Sequence, residues 1–199
     1  HSWGTVIALK AVYKTPEKYK AYICMGQIVH QNKADSISYE FTLKKAYVKN
    51  YKEAIEQLLK LDKNTYNQDF EHLVLQRKWL KEFGGSRYKP DIYKELKKCA
   101  FSSPEYSIFE LLRIQKKGKY LDRLIFPQLL EIDFFREIEE IAIPIYFFSG
   151  RYDYHVPSVL NYLYFESLKA PKKEYIWFEN SGHLPVYEEN DKFMDEVLR

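Results

Sequence analysis

Two apolar runs in the last third of the chain constrain its fold most strongly. Residues 143–149 (IPIYFFS) are mainly β-branched or aromatic and are followed by Gly150, a pattern typical of a strand buried on both faces. Residues 175–178 (YIWF) form a second run of the same kind. Strands of this composition occur mainly in parallel sheets covered by helices. The sequence therefore predicts an α/β fold with a mostly parallel sheet.

Candidate reactive residues follow both runs. Asp153 comes shortly after Gly150, and His183 follows the second run after the stretch ENSG. Loops at the carboxyl ends of parallel strands collect reactive groups, so both residues occupy positions suited to catalysis. Taken singly, such an aspartate is more often a turn former or helix cap, and such a histidine is more often solvated.

The first four residues, HSWG, match the last four positions of a nucleophile elbow, G-x-S-x-G. In this motif a serine lies on a strained turn between a strand and a helix, and the glycines avoid collisions that any side chain would cause. Only the second glycine, Gly4, is present. Ser2 is therefore the candidate nucleophile, although the short match also fits an ordinary loop entering a helix.

The three candidates occur in the order Ser2, Asp153, His183, which is the order that an elbow-type hydrolase requires. Each lies at a junction between a strand and a helix or loop, which chance would seldom produce three times. We therefore predict that Ser2 attacks a carbonyl, His183 takes and returns its proton, and Asp153 orients the imidazole.

The other histidines are less suited than His183 to act as the base. His155 is the competing base, but a helix is predicted to begin near Pro157, so His155 comes too early, whereas His183 ends a full strand–helix–strand unit. His1 is expected to point away from the Ser2 hydroxyl. The remaining two, His30 and His72, are expected to be structural or exposed.

With these residues in place, the chain resembles the α/β-hydrolase superfamily and, within it, the proline iminopeptidase-like hydrolases with a helical cap. The resemblance rests on HSWGT (1–5), YICMGQ (22–27), QRKWLKEFGGSRY (76–88), IPIYFFSGRYDYHVP (143–157) and FENSGH (178–183). It implies a serine hydrolase acting on small peptides or amides with a free N-terminal residue, without a cofactor. The backbone N–H of Trp3 is expected to bind the oxyanion.

One departure from the resembled family lies ahead of the serine, where the family has further strands and an oxyanion loop. We therefore expect the chain to be the C-terminal portion of such a hydrolase. Because a second oxyanion donor would come from upstream, we expect these 199 residues alone to be nearly inactive. A carboxylesterase acting on small esters is the nearest alternative. An alternative of another class is a non-catalytic ligand receptor or interaction protein with this fold.

The middle of the chain changes to helical periodicity. We predict core segments at 1–29 and 136–199 and an inserted helical cap at 30–135, because strand patterns resume only at residue 143. An elbow helix should end near Pro16, a strand should cover 19–27, and one cap helix should end at Gly84-Gly85. Another cap helix is predicted to begin at Ser103-Pro104 and to end at Gly118.

The substrate pocket is expected to lie under this cap. The aromatic residues that could line it, or form the cap core, are Tyr39, Phe41, Trp79, Tyr88, Tyr93, Phe101, Tyr106 and Phe109. In iminopeptidases of the resembled family, cap carboxylates hold the free amine of the substrate. Possible equivalents are Glu40, Glu105 and Glu110, and no motif distinguishes among them.

Composition argues against several other classes. The net charge of +3, from 31 basic and 28 acidic residues, is too balanced to indicate a nucleic-acid partner. The histidines are scattered, so no metal site is predicted. Cys24 and Cys99 form no C-x-x-C pair or disulfide framework, which is consistent with a cytoplasmic protein. No apolar run is long enough to predict a membrane span.

Overall fold

A parallel three-stranded sheet lies at the centre of the fold in the computed structural model, which describes residues 1–199 apart from the side chains of Gln115, Lys119 and Asp122. The strands are β1 (Tyr22–Met25), β2 (Ile145–Gly150) and β3 (Lys173–Phe178), in the order β1-β2-β3. All pairs are parallel, with Ile23 opposite Tyr146. The predicted parallel α/β fold is confirmed, whereas the first strand is shorter than the predicted 19–27.

The sheet is packed against helices from both ends of the chain. These are α1 (Gly4–Lys14), α7 (Phe134–Glu137), α8 (Ser158–Ser167), α9 (Pro185–Glu188) and α10 (Asn190–Leu198). Helix α1 ends just before Pro16, as predicted, and a 3₁₀ turn over Pro16–Lys18 follows it. Leu9, Phe134 and Phe147 are fully buried together in the main core. Burial of such large apolar side chains supplies most of the driving force for this packing.

The first five of the helices between β1 and β2 are called here the helical segment, residues 31–130. They are α2 (Gln31–Val48), α3 (Lys52–Leu59), α4 (Phe70–Glu82), α5 (Ile92–Ser102) and α6 (Ile108–Leu130), with a 3₁₀ turn at Tyr66–Gln68. Helix α4 ends before Gly84-Gly85, as predicted. Leu58, Tyr66 and Trp79 form a second buried cluster inside this segment. The segment therefore has a hydrophobic core of its own beside the core around the sheet.

The prediction for the last of these helices is wrong at both ends. Helix α6 begins at Ile108 with Ser107 as its N-cap, while Ser103 instead ends α5. Ser107 and Glu110 form a capping box, which satisfies orphan N–H groups at the helix start and so outcompetes the Ser-Pro signal. Gly118 lies inside α6, where a glycine costs only about 1 kcal/mol relative to alanine.

Within the described part of the chain, each helix is either too short or too polar to cross a lipid bilayer.

Candidate active site

The three predicted site residues lie together at the carboxyl edge of the sheet. The Nε2 atom of His183 is 2.9 Å from Ser2 Oγ, and its Nδ1 atom is 2.7 Å from Asp153 Oδ2. An ionised carboxylate only accepts hydrogen bonds, so Nδ1–H donates to Asp153, and Nε2 is left to accept from the Ser2 hydroxyl. Asp153 and His183 are 3% and 8% exposed, so water competes little for these bonds.

Ser2 is held in a conformation that few non-glycine residues adopt. Its φ of 52° lies in the left-handed region, as the elbow motif predicts. The Ser2 N–H donates to the carbonyl of Met25 at the end of β1 over 2.9 Å. The Thr5 hydroxyl donates to the Ser2 carbonyl at 2.5 Å and accepts from the N–H of Ile28 at 3.1 Å. These bonds stabilise the strained turn and aim the serine side chain at His183.

Close approach of another segment requires a glycine at Gly26 rather than at Gly4. Outside its chain neighbours and the backbone of its own helix, a Cβ atom at Gly4 would meet no described atom within 4 Å. At Gly26, whose φ is 58°, a Cβ atom would lie 3.0 Å from His183 Cε1. Gly26 therefore leaves room for the imidazole. Sequence reasoning included it only within a longer matching segment, although its place directly after β1, on the reactive edge of the sheet, was an available signal.

Asp153 is both a turn former and a partner of His183. Its Oδ1 atom accepts from the N–H groups of His155 and Val156, each at 2.9 Å, while Oδ2 faces His183. Asp153 can therefore form the turn and bind His183 at the same time. The turn bonds fix the carboxylate, and the fixed carboxylate orients the imidazole.

The backbone N–H of Trp3 lies at the start of α1. Trp3 is the N-cap of α1, and its N–H has no acceptor among the described residues. The positive end of a helix dipole favours negative charge at this point.

The histidines other than His183 have distinct surroundings. The His155 ring lies 4.8 Å from that of His183, and burial, with a smaller contribution from Arg77, lowers its pKa well below the ordinary value. His155 therefore stays neutral and makes no described bond to Ser2. As expected, His1 does not bond to the Ser2 hydroxyl; its Nε2–H donates to the His183 carbonyl at 2.8 Å. His30 caps α2, and His72 is exposed on α4.

A cavity of about 600 Å³ opens beside Ser2, between the sheet edge and the helical segment. Its apolar lining comes mainly from α4 and α6. These residues include Phe70, Leu73, Val74, Leu121, Ile125 and Phe126. Gln31, Arg77 and His155 add polar groups to the wall. A mainly apolar cavity with a few polar groups is the usual form of a small-molecule site.

The aromatic residues for which lining and cap core were both open do not line this cavity. None of the eight candidate aromatic residues contributes to its described lining, and Tyr39 and Trp79 are buried in the second core instead. Glu40 and Glu105 are exposed, and Glu110 belongs to the capping box of α6. The sequence could not separate lining from core because several faces of these helices carry aromatic residues, and only packing decides which face meets the serine.

A buried polar network supports the one charged side chain in the described lining. Asp35, 1% exposed, accepts from Gln31 at 3.0 Å, from Asn67 at 2.9 Å and from the Arg77 guanidinium. Arg77 also donates to Ser38 Oγ at 2.7 Å. The guanidinium is therefore held in place at the cavity wall by a paired charge. Among the described residues, no group of three His, Cys, Asp or Glu side chains could hold a metal ion.

Sequence comparison finds relatives among peptidases, whereas no family model matches the chain. A probable aminopeptidase, YbaC, from Bacillus subtilis (strain 168) is 24% identical over 201 residues, which cover 100% of this chain and 63% of the relative. A proline iminopeptidase from Clostridium botulinum is 41% identical over 70 residues, which cover 35% of this chain and 22% of the relative. The chain thus spans less than two thirds of the curated relatives that it matches.

Comparison with solved structures identifies the fold. An α/β fold family hydrolase from Bacillus anthracis superposes with a TM-score of 0.61 at 21% identity, covering 99% of this chain and 64% of that one. A proline iminopeptidase from Mycobacterium smegmatis superposes with a TM-score of 0.59 at 10% identity, covering 99% and 61%. The chain therefore has part of an α/β-hydrolase fold, and the curated proteins that it resembles are an aminopeptidase and a proline iminopeptidase.

Proposed function

We propose that the protein is a serine hydrolase with Ser2 as nucleophile, His183 as general base and acid, and Asp153 as the residue that orients His183. One observation carries the proposal. Hydrogen bonds run without a break from Asp153 through His183 to Ser2, which lies at the wall of the apolar cavity. A nucleophile bonded to a base that is itself oriented by a third group is the arrangement that covalent catalysis requires.

The reaction begins when Ser2 Oγ attacks the carbonyl carbon of the substrate and His183 Nε2 takes the hydroxyl proton. Asp153 stabilises the resulting imidazolium, and the Trp3 N–H with the α1 dipole stabilises the oxyanion. The imidazolium then protonates the leaving amine or alcohol, which leaves an acyl group on Ser2. Water, deprotonated by His183, attacks the acyl group, and release of the acid restores the serine.

We favour small peptides or amides with a free N-terminal residue as substrates. The named activities of the Bacillus and Clostridium relatives, aminopeptidase and proline iminopeptidase, support this class. Small esters are the second candidate, because the described cavity lining is largely apolar and includes no carboxylate that would bind a free amine. The triad chemistry is the same for both classes, so the cavity decides between them.

We further propose that residues 30–135 act as a cap over a core formed by residues 1–29 and 136–199. Two features support this division. The helical segment has a separate buried cluster around Leu58 and Trp79, and its helices α4 and α6 supply most of the lining beside Ser2. A cap of this kind would exclude water from the serine and select the substrate.

Labelling the full-length protein with a fluorophosphonate tests the proposed nucleophile. We expect covalent capture at Ser2, no capture in Ser2→Ala, and loss of capture in a folded His183→Ala variant. A well-folded protein that captures no label would contradict the proposal. Comparing aminoacyl anilides with short-chain p-nitrophenyl esters then separates peptidase from esterase activity, since only a peptidase should turn over the anilides efficiently.

A further inference from the structure

A buried carboxylate outside the proposed triad is bonded to the backbone beside His183. Glu188, at the end of α9, is 2% exposed and has no basic partner among the described side chains. Its Oε1 atom accepts from the N–H groups of Tyr88 and Lys89, at 2.7 and 2.8 Å, and its Oε2 atom accepts from that of Gly182 at 2.6 Å. Three N–H donors satisfy the oxygens of this buried carboxyl group.

These bonds join two distant parts of the chain at the proposed base. Residues 84–89, called here the connector, follow α4. The His183 N–H donates to the carbonyl of Ser86 at 3.1 Å, directly beside the Gly182 N–H that Glu188 binds. The N–H of Tyr154, next to Asp153, donates to the carbonyl of Gly85 at 2.7 Å. The connector therefore contacts the backbone next to both residues that activate Ser2.

The backbone at Gly182 is tightly enclosed. A Cβ atom at Gly182 would lie 2.5 Å from the N and Cα atoms of Arg87, and one at Gly150 would lie 1.9 Å from the Gly182 carbonyl oxygen. The loop before His183 is thus pressed between β2 and the connector. The two imidazole bonds, 2.7 and 2.9 Å long, have ordinary hydrogen-bond lengths, and a backbone shift of roughly 0.5 Å would lengthen the bond to Ser2 beyond the usual range.

We propose that Glu188 is a positioning residue. By binding both the connector and Gly182, it keeps His183 within hydrogen-bond distance of Ser2 and Asp153. This inference rests on the proposed function, because it assigns Glu188 a role through His183 and no contact with substrate. It also joins the base to the cavity wall, since the connector leads directly from α4, which carries Leu73 and Arg77. Glu188 would then stabilise both the packing of α4 and the position of His183.

The first test compares Glu188→Gln with Glu189→Gln. An amide at 188 places an NH₂ group against N–H donors, whereas Glu189 accepts from the N–H of Asn180 at 2.8 Å and from Ser181 Oγ at 2.7 Å, further from His183. We expect kcat to fall about 10 to 100-fold in Glu188→Gln with KM within about twofold, as for a displaced catalytic group. Glu189→Gln should retain kcat within about threefold.

The second readout is the proton NMR signal of the His183 Nδ1–H that is bonded to Asp153. It should shift or broaden in Glu188→Gln and persist in Glu189→Gln, and it can be read even in a protein that hydrolyses nothing. Failure of the proposed function is therefore distinguishable from failure of this inference. If Glu188→Gln does not fold, Glu188→Asp, whose shorter carboxylate cannot bridge both sides, should show the same kcat loss. An unchanged kcat and signal in the folded variant, or equal losses in both glutamine variants, would overturn the proposal.

Discussion

The loops that carry Ser2, Asp153 and His183, called here the floor, are held very differently from α6, the helix that forms one cavity wall. Asp153 and His183 are almost fully buried, and backbone hydrogen bonds flank all three floor residues. Along α6, Leu129 is the only described residue that is buried. Its exposed apolar residues include Ile108 (61%), Phe109 (78%), Leu112 (53%) and Leu124 (53%). Changes in the floor should therefore impair the chemical step, whereas changes in α6 should alter binding or local stability.

The largest effect is expected from Asp153→Asn. The amide can donate to Nδ1 and so favours the imidazole tautomer whose Nε2 carries the proton, which cannot accept from Ser2. We expect kcat to fall about 10⁴-fold with KM changed little. Steady-state kinetics on a variant shown to be folded by circular dichroism provides the measurement. Retention of even a tenth of the activity would show that another acid orients His183.

Two alanine substitutions at glycine compare the regions directly. In Gly26→Ala the new methyl group would meet His183 at 3.0 Å in a positive-φ conformation, so we expect kcat to fall about 100-fold. In Gly118→Ala the new methyl group meets no described atom within 4 Å and improves helix propensity, which should stabilise the protein by about 0.5–1 kcal/mol. Kinetics and urea unfolding of both variants test the contrast. Similar kcat losses in both would mean that the floor is no more constrained than α6.

Leu121→Ala should change binding rather than chemistry. Leu121 lines the cavity from α6 and is 50% exposed, so its truncation removes apolar contact with substrate while leaving little buried volume empty. We expect KM for a substrate with a bulky apolar group to rise about fivefold, which corresponds to about 1 kcal/mol, with kcat within twofold. A fall in kcat without a change in KM would mean that Leu121 affects the chemical step and not substrate binding.

The floor should also lose stability in acid because of His155. Its pKa is lowered in the folded protein by burial, so below about pH 6.5 the unfolded chain binds the proton more readily. The free energy of unfolding should therefore fall as the pH drops below about 6.5, by up to about 1.4 kcal/mol per pH unit from this group. His155→Asn should have a shallower dependence in urea unfolding between pH 7.5 and 5. Parallel curves for the two proteins would mean that His155 titrates normally.

A small, local effect is expected at the start of α6. Ser107→Ala removes the hydroxyl of the capping box with Glu110 and should cost about 1 kcal/mol of helix stability. Because Ser107 lies outside the described cavity lining, kcat and KM should stay within twofold. Hydrogen exchange along the first turn of α6 would locate the change. A loss of activity comparable to that of Gly26→Ala would contradict the separation of floor and wall.

The floor could be anticipated because its signals are local. A buried apolar run followed by a polar residue marks the end of a strand, and parallel strands bring such ends together, so Asp153 and His183 could be placed near Ser2 from the sequence. Gly26 was harder to assign. Its place directly after β1 was a signal. The close approach of the imidazole from a distant segment, however, cannot be predicted from the local sequence.

The cavity wall could not be anticipated to the same extent. Aromatic residues occur on several faces of α2, α4 and α6. In the packed structure Phe70 and Phe126 line the cavity, whereas Trp79 is buried in the second cluster. Competing cap signals misplaced the start of α6 by a few residues, because Ser103-Pro104 and Ser107 with Glu110 both fit a helix start. The side chains that line the cavity are consequently known from the structure alone.

Trapping the acyl intermediate tests the central claim most directly. The full-length protein would be mixed with a short-chain p-nitrophenyl ester, quenched in acid within its first turnover, and digested for mass spectrometry. The account predicts an acyl group on the peptide that contains Ser2, released with a stoichiometric burst of p-nitrophenol, and no such adduct in Ser2→Ala. Turnover with the acyl group on another residue, or with full activity retained in Ser2→Ala, would contradict it.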